Sequence, residues 1–324
     1  MNAELKMSKF AKYAWFVLAY NIVVILWGVF LRASKSGDGC GQHWLTCNGE
    51  VIPSAPQLKT VIEFSHRLTS GLAFISVLIL LIWAFRTFAK GNAIRKTALI
   101  SFIFIITEAL VGAGLVLTGN TAETLTAARP FWMIGHLTNT FILLASLSLT
   151  AWFASGGKLF NFKAQPKVIL LLGLAVIGVF FVGMSGSVAA LSSMLFPSAT
   201  LSEGLAKDFS ETSNILLRLR VSHPILSVSV GVFLIFLASW FKSKTRENFW
   251  IQRTANVLSI LVLIQFASGA LTLLTLAPIV MQIIHLFLAD AVWISFVLMS
   301  ASILAEQGEL SDISFSAKTQ SRLD

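Results

Sequence analysis

The chain has 324 residues, 56% of them hydrophobic and 12% charged, with a mean hydropathy of +0.81. A soluble domain carries about 25% charged residues, so a large soluble core is excluded and a polytopic membrane protein is indicated. The formal charge of +9 would suit nucleic acid, but its placement along the chain argues against that partner.

Spanning a bilayer as a helix takes roughly 20 apolar residues. Eight runs qualify, at about 13–32, 61–85, 97–118, 131–154, 168–190, 219–241, 254–275 and 281–305. Two-residue alternation is absent and open strand edges are not tolerated in lipid, so the expected fold class is all-α. Lys6, Lys9 and Lys12 precede the first run; Arg86, Lys90, Arg95 and Lys96 follow the second. Lys158, Lys163 and Lys167 follow the fourth, and Lys242, Lys244, Arg246 and Arg253 follow the sixth. Every second connection is basic, which places both termini on the cytoplasmic side of a cell (inner) membrane. Lipid headgroups are then the partner of the basic balance. The N-terminus has the look of a signal peptide, but its apolar run is long enough to span and leads into Arg32 without a clear cleavage site, so it reads as a retained first span.

The first outward loop, 33–60, holds the two cysteines, Cys40 and Cys47. On the oxidising side a short disulfide staple is expected. A redox-active pair is the sharper reading, and metal binding by Cys40, His43 and Cys47 is a third, one ligand short of a closed tetrahedral site. The second span opens with Glu63, Ser65, His66 and Arg67. Glu63 and His66, three apart, share a helical face. Arg67 lies about 100° round the helix, placed to meet an acidic ligand group or to snorkel. The third span carries Glu108 and the small residues from Gly112 to Gly119, which allow a helix or a flat cofactor to approach closely. For Glu108, a neutral acid bonded to a neighbouring helix competes with a chemical role. His136 opens the fourth span. A polar, basic stretch follows, and residues 157–167 read as a cytoplasmic linker between an N-terminal half, 1–156, and a C-terminal half, 168–305. A polar tail, 306–324, is expected to be disordered. The second long outward loop is about 191–218. The sixth span opens with Arg220, His223 and Pro224, the seventh carries Gln265, and the eighth opens with His285.

The halves repeat. His66 and His223 are 157 residues apart, His136 and His285 are 149 apart, and Glu108 falls where Gln265 falls. The expected architecture is two tandem, pseudo-symmetric four-helix bundles, each with histidines on its second and fourth helices. A lone intramembrane histidine is most often an interhelical hydrogen-bonding residue. Two at equivalent depth in each half instead suit a flat macrocycle whose iron is ligated from both sides. Zinc would want three or four ligands together, and a proton relay would want carboxylates strung through the bilayer. The halves differ at one place: Glu63 stands three before His66, but Arg220 stands three before His223. Arg220 is placed to pair a heme propionate, and Glu63 to move a proton or orient a substrate. A structural ion pair is the alternative for both.

Leu31-Arg32 with the Cys40/Cys47 loop, the run from Glu63 to Arg67, Gly112 to Gly119, and His136 to Thr140 together resemble the heme A synthase family. So do Ala189-Ala190-Leu191 with Leu195-Phe196-Pro197, and His285 with Leu288-Ala289-Asp290. The resemblance covers all eight spans. It implies oxidation of a porphyrin methyl of heme O to the formyl group of heme A, for heme-copper terminal oxidases. It implies a resident heme b on His223 and His285, substrate heme O on His66 and His136, catalytic assistance from Glu63, and a Cys40–Cys47 disulfide of the cysteine-pair-containing type. Implied partners are a heme O synthase and an electron acceptor; oligomerisation is permitted. From another class, a di-heme b-type electron-transfer subunit would use the same four histidines without needing Glu63. A transporter would favour helices broken at mid-membrane, whereas the glycine-rich turns here lie near span ends.

Overall fold

A computed structural model describes residues 7–162 and 166–306. Lys6, Lys163 and nearly all of the polar tail therefore lie outside the described residues. Among the described residues ten helices follow in order: α1 (Lys9–Ala33), α2 (Leu58–Thr87), α3 (Ala93–Leu117), α4 (Arg129–Ala154), α5 (Pro166–Leu195), α6 (Leu201–Phe209), α7 (Ile215–Arg220), α8 (Ser222–Lys244), α9 (Phe249–Leu274) and α10 (Ile279–Leu304). Eight are long and apolar enough to cross a membrane, counting α7 and α8 as one span. The all-α expectation holds among the described residues, where the only strand-like pairing is an isolated bridge between Cys47 and Glu50.

The ends of the helices are written locally. Ser8, Asn92 and Asn248 accept backbone N–H groups of α1, α3 and α9, the role these short polar side chains play at an N-terminus. Two boundaries differ from expectation. α5 runs five residues beyond 190, so Leu191 to Leu195, expected in the second outward loop, are helical. The sixth span is broken at Val221, between α7 and α8. Pro224 explains the break: it has no N–H for the Arg220 carbonyl four residues back, and its ring crowds that carbonyl. The second long loop also contains a helix, α6. Thr200 accepts the Glu203 N–H at 3.2 Å and the Glu203 carboxylate accepts the Ala199 N–H at 2.8 Å, a near relative of the capping box.

The first four helices pack in a ring, α1 on α2, α2 on α3, α3 on α4 and α4 back on α1. In the second half α5 packs on α8, α8 on α9 and α9 on α10, with Phe180 of α5 meeting Trp293 of α10 edge-on. α4 is shared: it also touches α5 and α10. Trp293 donates its ring N–H to the Phe141 carbonyl at 2.8 Å and stacks on the Phe141 ring. Close helix approach relies on small residues, as between membrane helices generally. A Cβ on Gly231 would lie 2.3 Å from the Phe266 ring, so α8 and α9 meet across it. The outer faces present large apolar side chains such as Ile79, Leu110, Phe181, Phe236 and Leu263, the surface a bilayer covers.

Candidate functional site

The four histidines all sit within the first two to three turns of α2, α4, α8 and α10, at the end of the molecule that carries the Cys40–Cys47 loop and α6. His66 and His136 are near enough to act on one another electrostatically, as is Glu108 on both. In the other half the His223 and His285 ring centres are 6.3 Å apart with planes at 89°. Two imidazoles bound to opposite faces of one iron, with metal–nitrogen bonds of about 2.0 Å, hold their ring centres roughly 6 Å apart. The His223–His285 pair therefore fits a bis-histidine heme. Gln265 would have to turn aside for it, because its amide nitrogen lies 3.3 Å from Nε2 of His285.

Each of three rings lies against a glycine of a neighbouring helix. A Cβ at Gly28 would come 3.0 Å from Cε1 of His66, one at Gly186 2.9 Å from Cε1 of His223, and one at Gly269 3.1 Å from Cε1 of His285. Any larger residue would press directly on the imidazole. Gly28 and Gly186 are 158 residues apart and take the same place in the two halves. Gly112, 157 before Gly269, has no atom within 4 Å of its Cβ direction. Gly112 thus lacks the ring contact that Gly269 makes with His285.

The hydrogen-bond partners of the rings differ between halves. His223 Nδ1 lies 3.2 Å from the Ser185 hydroxyl and 3.4 Å from that of Ser227, and His285 Nδ1 3.2 Å from that of Ser268. These neutral partners orient the rings. His136 Nδ1 instead lies 3.0 Å from Oε1 of Glu108, close but off the hydrogen-bond axis, and has no other partner. The Glu108 carboxylate is itself fixed by Thr140, whose hydroxyl donates to Oε1, and by Asn139, whose amide donates to Oε2. Asn139 is anchored in turn to the Phe104 carbonyl at 2.8 Å. The two sequence readings of Glu108 thus merge: it bonds a neighbouring helix and, through that helix, faces a candidate ligand.

Glu63 is 3% exposed. Its carboxylate accepts the Cys40 N–H at 2.8 Å and both Nε and Nη2 of Arg67, Nε at 3.1 Å. Arg67 spends its other nitrogen, Nη1, on the carbonyls of His43 and Thr46, at 2.7 and 2.8 Å. The pair therefore ties the first outward loop to the top of α2, and Arg67 is committed to protein groups. Gly39 makes the docking possible: a Cβ there would lie 2.3 Å from the Lys59 carbonyl oxygen. Cys40 and Cys47 form a disulfide, S–S 1.99 Å, and both are buried, so neither sulfur is free for the Cys–His–Cys metal site considered above. Arg220, read as a propionate partner, lies 2.6 Å from Asp208 and donates to the Gly204 carbonyl at 3.2 Å. It ties α6 over the second half much as Arg67 ties the disulfide loop over the first. The sequence did not single out Ser185, Ser227 or Asp208 for these contacts. The Thr-x-x-Glu pattern at Thr200 was the signal for α6.

The chain matches the COX15-CtaA family, described as cytochrome oxidase assembly protein, over residues 11–297. It is 47% identical over 297 residues to a protoheme IX farnesyltransferase of Thermus thermophilus, across 92% of this chain and 49% of that protein. It is 38% identical over 127 residues to the heme A synthase of Halalkalibacterium halodurans, across 39% of this chain and 42% of that protein. With the heme A synthase of Bacillus mycoides it shares 39% identity over 114 residues, across 35% and 37% of the two chains. The chain spans about half the length of the Thermus relative.

Proposed function

Since the chain belongs to the COX15-CtaA cytochrome oxidase assembly family, we propose that it is a heme A synthase, oxidising a porphyrin methyl of heme O to a formyl group. The observation that carries the reading is the two pairs of histidines at one end of the helices, one pair spaced for a bis-histidine iron at 6.3 Å. His223 and His285 would hold a resident heme b, and its chemistry when bound is reversible one-electron transfer through the iron. His66 and His136 would hold the substrate, in the half where the glycine face at Gly112 is open. The domain division follows: 1–156 for substrate, 168–305 for the resident heme.

Glu63 is assigned to assist at the substrate, one helical turn nearer the loop than His66. Its carboxylate is already held by Cys40 N–H and Arg67, so it accepts a proton only by releasing one of them. Proton transfer there is therefore coupled to the position of the disulfide loop. Burial and two guanidinium contacts also keep bulk water from the carboxylate. Arg220, held by Asp208, would meet a propionate only on the side that Asp208 leaves free. The cell membrane, with both termini cytoplasmic, is the proposed location.

The Thermus relative's name refers to a protein about twice as long. Its farnesyl transfer chemistry fits the step that supplies heme O, so a protoheme farnesyltransferase is the proposed partner upstream. The same histidines would also serve a di-heme electron-transfer subunit. Pigment extraction from the purified protein, produced in cells that make heme O, separates the readings. Heme O or heme A beside heme b is expected; heme b alone, at two per chain, would establish the electron carrier.

A further inference from the structure

Among the described residues His136 is the only one of the four histidines that faces a carboxylate. His66 Nδ1 is buried without a partner, and His223 and His285 face hydroxyls and an amide. The carboxylate is built in. Each oxygen of Glu108 receives a donor, from Thr140 and Asn139, which fixes the carboxylate in place against His136. Glu108 and Gln265 are 157 residues apart, the separation of His66 and His223. Acid and amide therefore take matching positions on α3 and α9, but they meet different ring nitrogens: Glu108 faces Nδ1 of His136, whereas Gln265 faces Nε2 of His285 and the Ser268 hydroxyl faces its Nδ1.

We propose that Glu108 is a positioning residue that makes His136 the most electron-rich of the four imidazoles, so that the heme iron it binds has the lower reduction potential. The inference rests on the ligand assignment above. An Nδ1–H directed at a carboxylate fixes the tautomer, leaves Nε2 for the metal and raises the basicity of the ring. A stronger donor stabilises ferric over ferrous iron. A small turn of the His136 ring closes the 3.0 Å Nδ1–Oε1 contact into a hydrogen bond. At His285 the place of the carboxylate is taken by the Ser268 hydroxyl, 3.2 Å from Nδ1, which carries no charge and adds no such donation. The difference between a carboxylate and a hydroxyl at the ring Nδ1 thus separates the potentials of two otherwise similar centres, and the downhill direction for an electron is from the His66–His136 centre to the His223–His285 centre.

The test is a redox titration of the full-length protein, loaded with heme O, in Glu108→Gln and Ser268→Asp. Optical spectra follow both centres, and EPR follows the ferric forms. Glu108→Gln is expected to raise the potential of the heme O centre, leave that of heme b in place, and widen the spread of the ferric heme O g values. The widening separates loss of ligand donation from mere removal of a nearby charge. Ser268→Asp, which brings a carboxylate to the Nδ1 side of His285, is expected to lower the heme b potential, and it stays informative if Glu108→Gln fails to assemble. Unmoved potentials in either assembled variant, an equal movement of both centres, or unchanged g values in Glu108→Gln would overturn the proposal. A wild-type protein that holds heme b but binds no heme O would instead overturn the ligand assignment on which it stands.

Discussion

Replacing Arg67 with alanine tests whether the Glu63–Arg67 pair is the tether of the disulfide loop. The Glu63 side chain is 4% exposed and that of Arg67 21%. Removing the guanidinium leaves a buried carboxylate with the Cys40 N–H as its one remaining donor, and frees the His43 and Thr46 carbonyls. Breaking a buried pair from one side costs about 3–5 kcal/mol. The partial exposure of Arg67 puts the expected cost near the lower figure. At 1.4 kcal/mol per tenfold, local opening of the loop becomes roughly a hundredfold more frequent. Hydrogen exchange of residues 38–48 in a detergent micelle reads this directly, at the Cys40 amide and at the Asn48 amide bonded to the Cys40 carbonyl. Adding Glu63→Gln removes the stranded charge while keeping an acceptor for Cys40. The double variant should therefore exchange more slowly than Arg67→Ala alone, a non-additivity of contacting residues. Exchange within about threefold of wild type in Arg67→Ala, or a double variant as loose as the sum of the singles, would refute the tether.

Glu63→Gln alone should retain heme b and lose heme A formation, read by pigment extraction; full product yield would remove Glu63 from the chemistry. Gly186→Ala pushes a methyl to 2.9 Å from the His223 ring. Overpacking of this kind costs about 1–3 kcal/mol, and reduced heme b content at normal protein yield is the expected result. In unreduced protein neither cysteine should react with a thiol label; labelling of both would contradict the disulfide. Outside the spans, a hydrogen bond from Lys207 and another from the Ala199 N–H hold the Glu203 carboxyl below its ordinary value. A depressed carboxyl stabilises the folded form above its unfolded value and ceases to as pH falls through the folded one. Protection of α6 should therefore drop on acidification relative to Glu203→Gln, which should lack that dependence.

The eight spans were legible because lipid demands long apolar runs, and the sequence supplies them without ambiguity. What lay outside that rule was harder to see. The break at Val221 follows from Pro224, whose effect falls four residues back, at the Arg220 carbonyl, and not where the proline itself stands. α6 is too short and too polar for a hydropathy signal and is visible only through its cap. The four histidines stood out because polar groups in lipid are costly. Their surroundings did not, since serines such as Ser185 and Ser268 look like ordinary small packing residues until the helices are assembled. An ion pair is one reading of Glu63 from the sequence, but without Arg67 as its partner. Their four-residue spacing suggests a pair, but the carbonyls of a loop some 20 residues away complete it.

α4 borders helices of both halves and carries His136, while its Phe141 carbonyl is bonded to Trp293 of the helix that carries His285. Thicker or thinner bilayers tilt the outer helices, whose apolar faces they wet. The central wall is wetted least, with 56% of its spanning window buried. The separation between the two histidine pairs is therefore set by side-chain packing inside the protein. Electron exchange across that gap should proceed at much the same rate in membranes of different lipid composition, even where detergent or lipid alters overall stability.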